Sequence, residues 1–330
     1  MTGSGAGAIW ITGGMAAIAL TDNLMPLVAE RLSLWHFHAL RAALVLPAVL
    51  ALAAFNGHLA RLRPQAPRRL AERTGFAVLA MLLYFAALPA VGIAQASAGL
   101  FTSPIWVVIF EWVLHGERMG PRRLGALALG AGGVWLVLDP GTGPGGPMAL
   151  VAVASGAAYA LGLIWTGRYC RAESAVALSI WLFVGLGAAG LLGIAARPWL
   201  AEALAGVPGT GFATRPWDGL DAATLGWIAV IGLGGMTASI CLAQGYKMGE
   251  ASLMALFDFS FLLWAPLFAW AIWGSALAPQ TALGMALIVG AGALAVWSGA
   301  RRRTVTAGAD PRVATARAEP PPDLPGGGAG

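Results

Sequence analysis

The sequence predicts an all-α, polytopic membrane protein with ten transmembrane helices. Hydrophobic residues make up 58% of the 330 residues and charged residues only 11%, whereas soluble domains carry about 25% charged residues. The apolar segments recur at lengths of around twenty residues, the length that an α-helix needs to cross the hydrocarbon core. The alternating segments of about ten residues that are typical of a membrane β-barrel are not found.

The ten predicted spans are separated by short polar or turn-rich segments. In chain order they cover residues 8–28, 35–55, 75–93, 95–114, 123–138, 148–166, 175–195, 223–243, 252–273 and 281–299. Pro89 predicts a kink near the end of the third span, and Pro104 predicts a break in the fourth. Residues 196–222 hold three prolines and are predicted to form a loop without helix. The start of the chain lacks the basic region of a signal peptide, so the first span is expected to be retained.

The basic residues are distributed asymmetrically between the two sides of the predicted bundle. Sixteen of the 20 Lys and Arg residues fall on one side, including the arginines of the 61–73 loop and Arg301, Arg302 and Arg303. The positive-inside rule assigns that side to the cytoplasm. We therefore expect a multi-pass protein of the inner (cytoplasmic) membrane with both termini cytoplasmic. The net charge of +5 then reflects topology and does not indicate nucleic-acid binding.

The chain is predicted to contain two similar halves. Residues 1–138 form the first repeat, the turn-rich segment 139–147 a hinge, residues 148–299 the second repeat, and residues 300–330 a basic and then disordered cytoplasmic tail. Shifting the second half by 158 positions aligns Gly274 with Gly116 and Trp264 with Trp106. Because each half has an odd number of spans, the two halves are predicted to lie in opposite orientations, as in many secondary transporters.

These features resemble the EamA repeat of the drug/metabolite transporter (DMT) superfamily. The resemblance rests on Arg41 early in span two, small residues at 94–99, Pro104 within span four, and Gly-Glu-Arg at 116–118 before a glycine-rich fifth span. The second copy departs from the pattern, because Ser275 replaces the expected Glu and span seven has no counterpart of Arg41. The resemblance implies ten helices in two inverted five-helix EamA-type repeats around a central cavity, and export or exchange of small metabolites.

Four charged residues within the predicted spans are candidates for a functional role, because a charge there usually faces a partner or a water-filled cavity. Asp22 and Arg41 lie at similar depths and are expected either to form a pair or to act structurally, Arg41 also by extending to the interface. Glu111 is a candidate proton-binding carboxylate, and the alternative is that it neutralises the neighbouring basic loop. Asp258 is a candidate for binding a substrate ammonium group or a coupling proton.

Polar and aromatic residues near these charges are further candidates for the substrate site. They are Asn23, Gln95, Gln244, Ser260, Trp106 and Trp264. The polar members suit directional hydrogen bonds in a mainly apolar pocket, but each can also bond to its own helix. The two tryptophans align under the repeat and are expected either to face each other across the cavity or to pack against lipid. His36 and His38 are expected to anchor the outer interface.

The sequence predicts a secondary transporter that acts without a cofactor. It contains no Walker motif, no usable set of catalytic residues and no metal-ligand spacing, and its two cysteines are isolated. The predicted partners are a small-molecule substrate, membrane lipid and, if transport is proton-coupled, protons, with no nucleic acid; the oligomeric state is not predicted. We expect export of an amino acid or related metabolite. The alternatives are a multidrug or cationic-compound exporter and, in another class, a non-transporting membrane scaffold or sensor.

Overall fold

The computed structural model describes residues 3–55, 57, 62–116, 121–138, 147–170, 172–217, 219–248, 257–291 and 294. In these residues the secondary structure is helical, without strands. The helices, in chain order, are α1 (Gly3–Asn23), α2 (Pro26–Ala29), α3 (Leu34–Phe55), α4 (Pro67–Leu100), α5 (Ser103–His115), α6 (Pro121–Leu138), α7 (Pro147–Tyr169), α8 (Ala175–Ala203), α9 (Gly211–Thr214), α10 (Ala222–Met248), α11 (Phe261–Trp273) and α12 (Pro279–Ala291).

Six segments of the described chain are helical, long and apolar enough to cross a membrane. They are Gly5–Ala29, Leu34–Phe55, Pro67–Leu100, Met148–Tyr169, Ala175–Ala203 and Ala222–Leu242. Shorter apolar helices occupy the positions of predicted spans four, five, nine and ten. The prediction of an all-α polytopic membrane protein is therefore confirmed, while the count of ten crossings stays a prediction. The predicted hinge falls mostly, and the predicted tail wholly, outside the described residues.

Proline and side-chain caps define where several helices begin. Pro67 and Pro104 lie in the first turns of α4 and α5, where a missing N–H leaves no helical hydrogen bond unmade. Ser174 caps α8 by accepting a hydrogen bond from the Ala177 N–H, and Asp221 accepts one from the Thr224 N–H at the start of α10. These local signals explain why the helices are separated at short polar segments.

The boundary between predicted spans three and four differs from the prediction. Helix α4 runs through predicted span three and continues into span four, where it ends at Leu100. Its non-helical residue is Gly92 (φ 81°, ψ 166°), three positions beyond Pro89. Gly92 takes the kink because that backbone conformation is accessible to glycine and costly for other residues. The break predicted near Pro104 falls at Phe101 and Thr102 instead.

The predicted 196–222 loop is partly helical. Helix α8 continues through Pro198 to Ala203, and the short α9 follows. Span nine, predicted to be one helix over 252–273, is interrupted by a turn at Phe259 and Ser260, and its residues 252–256 lie outside the described part. The prediction from proline content therefore began the loop after α8 too early in the chain. It also did not indicate the turn at Phe259 and Ser260 within span nine.

Two groups of helices account for the most extensive packing in the structure. The first group is α4 packed along α7. The second group is α1, which packs along α10 and also contacts α11. Helix α3 packs mainly on α8. Each group therefore combines helices from the two predicted halves of the chain.

Glycine permits the closest approach between α4 and α7. A Cβ atom added at Gly99 would lie 2.5 Å from the Ala152 carbonyl carbon, and one added at Gly156 would lie 2.5 Å from the Gly99 oxygen. Near the other end of the pair, the Glu173 carboxylate accepts hydrogen bonds from the backbone N–H groups of Gln65 and Ala66, both at 2.8 Å. The two helices are thus joined over most of their length.

Helices α5 and α11 match in length and in how they end. Each has 13 residues and ends at a left-handed glycine, Gly116 (φ 68°) and Gly274 (φ 67°). Within each, a tryptophan stacks on the phenylalanine one turn later: Trp106 on Phe110 at 5.7 Å, and Trp264 on Phe268 at 5.9 Å between ring centroids. These positions are the ones that the shift of 158 residues aligns.

Candidate functional site

A cavity of about 760 Å³ opens between the two helix groups. One wall comes from the end of α1, from α2 and from α11, and the opposite wall from the kinked part of α4. The segment around α9 contributes Gly209, Phe212 and Arg215. The size is in the range of pockets that bind drug-sized molecules, and three predicted site residues line it: Asp22, Asn23 and Gln95.

Asp22 is the buried carboxylate of this cavity. Its side chain, in a residue only 5% exposed, accepts a hydrogen bond from the Tyr84 hydroxyl at 2.7 Å. Tyr84 lies in the middle of α4 and is also buried. Since α1 and α4 belong to different helix groups, this hydrogen bond joins the two groups at the cavity wall.

Arg41 is buried within electrostatic range of Asp22 and is not among the residues that line the cavity. Its charge attracts that of Asp22, but in the described part of the chain no ion pair joins its guanidinium to a carboxylate. The guanidinium carbon instead lies 4.7 Å from the centroid of the Phe183 ring and 5.7 Å from those of Phe37 and Phe85. The predicted pair is therefore a longer-range attraction, with aromatic faces around the cation.

Asn23 connects α1 with α11 at the cavity wall. Its side-chain amide donates to the Ala265 carbonyl at 3.0 Å and to the Ala19 carbonyl at 2.8 Å. The Trp273 indole N–H donates to the Asn23 carbonyl at 2.9 Å. The amide nitrogen is thus used in packing, and the side-chain oxygen is the part of Asn23 that suits a ligand.

Polar contacts hold the segments near the cavity mouth. Arg215 donates a short hydrogen bond to the Ala29 carbonyl, and Trp35 donates to the Ala213 carbonyl at 2.8 Å. Arg31 pairs with Asp221 at 3.0 Å on the surface. The hydrogen bonds from Thr224 and the nearby Arg31 charge lower the pKa of Asp221.

An aromatic cluster lies beyond the cavity, where the two interrupted spans meet. Phe101 at the break after α4 contacts Phe259 and Phe261 at the break before α11, with ring centroids 5.8 and 5.6 Å apart. Phe101 and Phe259 are also separated by 158 positions. The cluster continues into a buried apolar core with Met15, Ala98 and Leu262, so the cavity ends on packed side chains.

Three predicted site residues of the second half lie near this cluster, outside the cavity lining. Asp258 is partly buried and lies within electrostatic range of Tyr159 in α7. The Ser260 hydroxyl is buried and has no hydrogen-bond partner among the described residues. Trp264 packs against the same apolar core. The structure therefore groups them with one another and separates them from Asp22.

Trp106 and Gln244 are not among the residues that line the cavity. Trp106 contacts Phe110 of its own helix, so the expected pairing with Trp264 across the cavity is not observed among the described ring contacts. Gln244 is exposed on α10. Glu111 lies in α5, but its side chain is outside the described part.

The expectation that both histidines anchor the outer interface was wrong for His38. Its ring is fully buried against Phe37 and Phe85. His36 lies near the segment that follows α9, where it contacts Ser33 at 2.7 Å and the Trp217 ring at 4.4 Å. The position of a histidine near the end of an apolar helix does not show whether its ring faces the protein surface or the interior.

Tyr84 is the functional candidate that sequence reasoning missed. The chain has only four tyrosines, and a phenol within an apolar span needs a hydrogen-bond partner when it is buried. The sequence therefore indicated that Tyr84 needs a partner, but it did not indicate that the partner is Asp22.

The two cysteines are free. Cys170 is buried, which raises the pKa of its thiol, and Cys241 is half-buried.

A multi-pass helical protein with a mainly apolar cavity between two helix groups, lined by a few polar side chains, has the architecture of a membrane transporter. Comparison with known proteins agrees. Residues 5–139 match the EamA-like transporter family. A riboflavin transporter of Rhizobium johnstonii is 30% identical over 237 residues, which cover 71% of each chain. The chain therefore belongs to the EamA-like transporters of the DMT superfamily and is a transporter, not an enzyme.

Two other matches support the same family and fold. An uncharacterized transporter of Helicobacter pylori is 27% identical over 229 residues, covering 69% of this chain and 72% of the relative. A solved crystal structure shares the fold with a TM-score of 0.56 and 20% identity, and the alignment covers 88% of this chain and 98% of the other. Neither a multidrug exporter nor a non-transporting scaffold is favoured by these matches.

Proposed function

We propose that the protein is a secondary transporter that carries a small metabolite across the membrane by alternating access. The observation that carries the proposal is the cavity between the two helix groups, with Asp22, Asn23 and Gln95 in its walls. The proposal includes ten crossings, two inverted repeats, both termini in the cytoplasm and location in the inner membrane. In that topology the cavity faces outward, because the chain segments that line it connect at the external ends of the spans.

The match between α5 and α11 supports the inverted repeats. Equal length, a left-handed glycine cap and a stacked tryptophan–phenylalanine pair recur at one fixed spacing. The packing partners agree as well. Helix α7, the first of the second half, packs on α4, and α1, the first of the first half, packs on α10 and α11. A pseudo-twofold axis between the halves accounts for this exchange of partners.

The packing also favours a particular division into moving units. The repeat alignment suggests rocking of one five-helix repeat against the other. Extensive contact between α4 and α7, and between α1 and α10, favours instead two units that each contain helices of both halves. Closely packed elements tend to move as rigid bodies, with small rearrangements at the looser interface. The cavity lies at that looser interface.

The aromatic cluster is the proposed barrier on the cytoplasmic side of the cavity. Phe101 belongs to the α4 unit, whereas Phe259 lies in the turn before α11 and Phe261 is the first residue of α11. Their contact crosses between the units at two helix breaks. Inward opening would separate these rings, and outward opening restores their contact.

The first substrate to test is riboflavin, and the second is an amino acid. Riboflavin is proposed because a relative with 30% identity is a riboflavin transporter and because a cavity of about 760 Å³ suits a drug-sized molecule. The apolar walls and the Trp273 and Phe212 rings suit an aromatic ring system. An amino acid is the substrate class suggested by the family resemblance, and it would fill a smaller part of the cavity.

Outward transport and proton coupling are further parts of the proposal. Asp22, Asp258 and Glu111 are the carboxylates that lie within predicted spans, and such groups often serve as proton sites in transporters. Proton coupling is tested by measuring substrate flux with and without an imposed pH gradient. Equal flux in both conditions would refute the proposed proton coupling.

The test of the proposed function is flux in proteoliposomes that contain the purified full-length protein. Labelled riboflavin and a panel of labelled amino acids are loaded inside or added outside, so that both directions are measured. We expect saturable flux of one of these substrates and at least a tenfold loss in Asp22→Asn. The matched control is Asp221→Asn, which changes a surface carboxylate outside the cavity. Flux no greater than in empty liposomes for every substrate would refute the proposal.

A further inference from the structure

The hydrogen bond between Tyr84 and Asp22 fixes one side of a cavity carboxylate. The Tyr84 hydroxyl donates to Asp22 Oδ2 at 2.7 Å, and both residues are buried. No second hydrogen bond to the Asp22 carboxylate is found in the described part of the chain, although Asp22 lines the cavity. One carboxylate oxygen is therefore occupied and the other is left for a ligand in the cavity.

Arg41 is held near Asp22 without taking up that second oxygen. Three phenylalanine rings surround its guanidinium at 4.7 to 5.7 Å, and its buried Nε has no hydrogen-bond partner among the described residues. Gly235 of α10 leaves the space that the guanidinium fills, since a Cβ atom there would collide with it. Arg41 thus balances the carboxylate charge from behind the cavity wall.

From this arrangement we infer that Tyr84 and Arg41 position Asp22 to accept a hydrogen bond from an uncharged N–H or O–H group of the substrate. The inference rests on the proposed function and specifies the chemistry of its site. Tyr84 is a positioning residue that orients the carboxylate, and Arg41 is a positioning residue that supplies the balancing charge.

The charge balance selects the class of substrate. A substrate carboxylate would be repelled by Asp22 at short range, and the buried Arg41 charge offsets part of the attraction that Asp22 would exert on a substrate ammonium group. A neutral donor, such as a hydroxyl or a ring imide N–H, leaves the Asp22–Arg41 balance unchanged. A site with a buried acceptor rejects ligands that lack the matching donor, because the acceptor is then left unpaired.

The inference is tested by combining protein variants with ligand analogues in binding measurements on the purified protein. The probe is riboflavin, which has a ring imide N–H and a hydroxylated chain. Two analogues each remove one kind of donor: riboflavin methylated at the imide nitrogen, and lumiflavin, which lacks the hydroxylated chain. The variants are Asp22→Asn and Tyr84→Phe, and the control is Tyr169→Phe, whose ring contacts Arg69 and Trp165 away from the cavity.

We expect the wild-type protein to prefer riboflavin over at least one analogue by about tenfold or more, the typical cost of an unpaired charged acceptor. That preference should fall below about threefold in Asp22→Asn and in Tyr84→Phe and persist in Tyr169→Phe. Arg41→Lys should keep more of the preference than Arg41→Met, because lysine retains the charge.

Three results would overturn the inference. If the variants weaken riboflavin and the analogues equally, Tyr84 and Asp22 have only a structural role. If riboflavin does not bind but an amino acid is transported, the neutral-donor class is wrong while the transport function stands. If no substrate moves in the flux assay, the proposed function fails and the inference fails with it.

Discussion

A disulfide between α4 and α7 tests whether these helices move together. A Cβ atom added at Gly162 would lie 3.9 Å from the Ala77 Cβ, close to the mean Cβ–Cβ distance of about 3.8 Å in disulfides. The nearest atoms to that added Cβ are at 3.7 Å or more, so a side chain at 162 needs little rearrangement. The double variant Ala77→Cys/Gly162→Cys, with Cys170 and Cys241 replaced by alanine, should therefore oxidise readily.

The expected stabilisation follows from the length of the closed loop. Loop-closure entropy for about 85 residues gives roughly 4.5 kcal/mol, and engineered disulfides commonly deliver about 2–4 kcal/mol. The value for this chain should lie toward the lower end, because unfolded helices that stay in the membrane are already restricted. Thermal unfolding in detergent, followed by tryptophan fluorescence with and without reductant, measures the difference.

The transport result decides between the two divisions into moving units. If α4 and α7 belong to one unit, the oxidised variant should keep the flux of its reduced form. The comparison is Phe101→Cys/Phe259→Cys joined by a flexible bifunctional thiol reagent, which should stop flux because it ties the two units together. Failure of the first pair to oxidise would contradict the packing of α4 on α7. Loss of flux on oxidation, recovered with reductant, would refute the proposal that these helices move as one body.

Three other predictions concern stability and pH. Gly156→Ala should destabilise the protein by about 1–3 kcal/mol through overpacking against Gly99, whereas Gly167→Ala in the same helix, where a Cβ meets nothing within 4 Å, should be neutral or stabilising; thermal unfolding distinguishes them. Glu173→Ala should cost about 1–3 kcal/mol, because two backbone N–H groups lose their acceptor, and equal stability of variant and wild type would contradict that contact. The lowered pKa of Asp221 means that its contribution is present above the unfolded-state pKa and is lost as the pH falls through the folded-state pKa. Acid titration of Asp221→Asn should therefore lack that part of the pH dependence of stability.

The predicted helix breaks illustrate what local sequence signals can and cannot resolve. Pro104 correctly indicated an interruption in span four, since a proline near the first turn marks a helix start. Pro89 indicated a kink that the structure locates at Gly92. Nothing local indicated the turn at Phe259 and Ser260, because residues 252–265 contain neither proline nor glycine. The repeat alignment could have located it, since Phe259 aligns with Phe101.

The candidate site was predicted in part for a similar reason. Asp22, Asn23 and Gln95 were identified because polar groups within apolar spans are costly and usually functional. Asp258 and Gln244 satisfied the same rule, yet neither lines the cavity. The rule detects that a polar group needs a partner or water, but it does not indicate which of several polar groups share one space.

The sequence by itself determined that this chain crosses the membrane as apolar helices, and its residue order identified the transporter family. Those conclusions follow from local and additive quantities: hydrophobic length, helix breakers and the spacing of a few motif residues. Only the tertiary structure decided that Tyr84 meets Asp22, that Arg41 lies among three phenylalanines, and that α4 packs with α7. A helix that is apolar on all sides carries no periodic signal for the face it turns to a neighbour, so these contacts depend on how the helices pack.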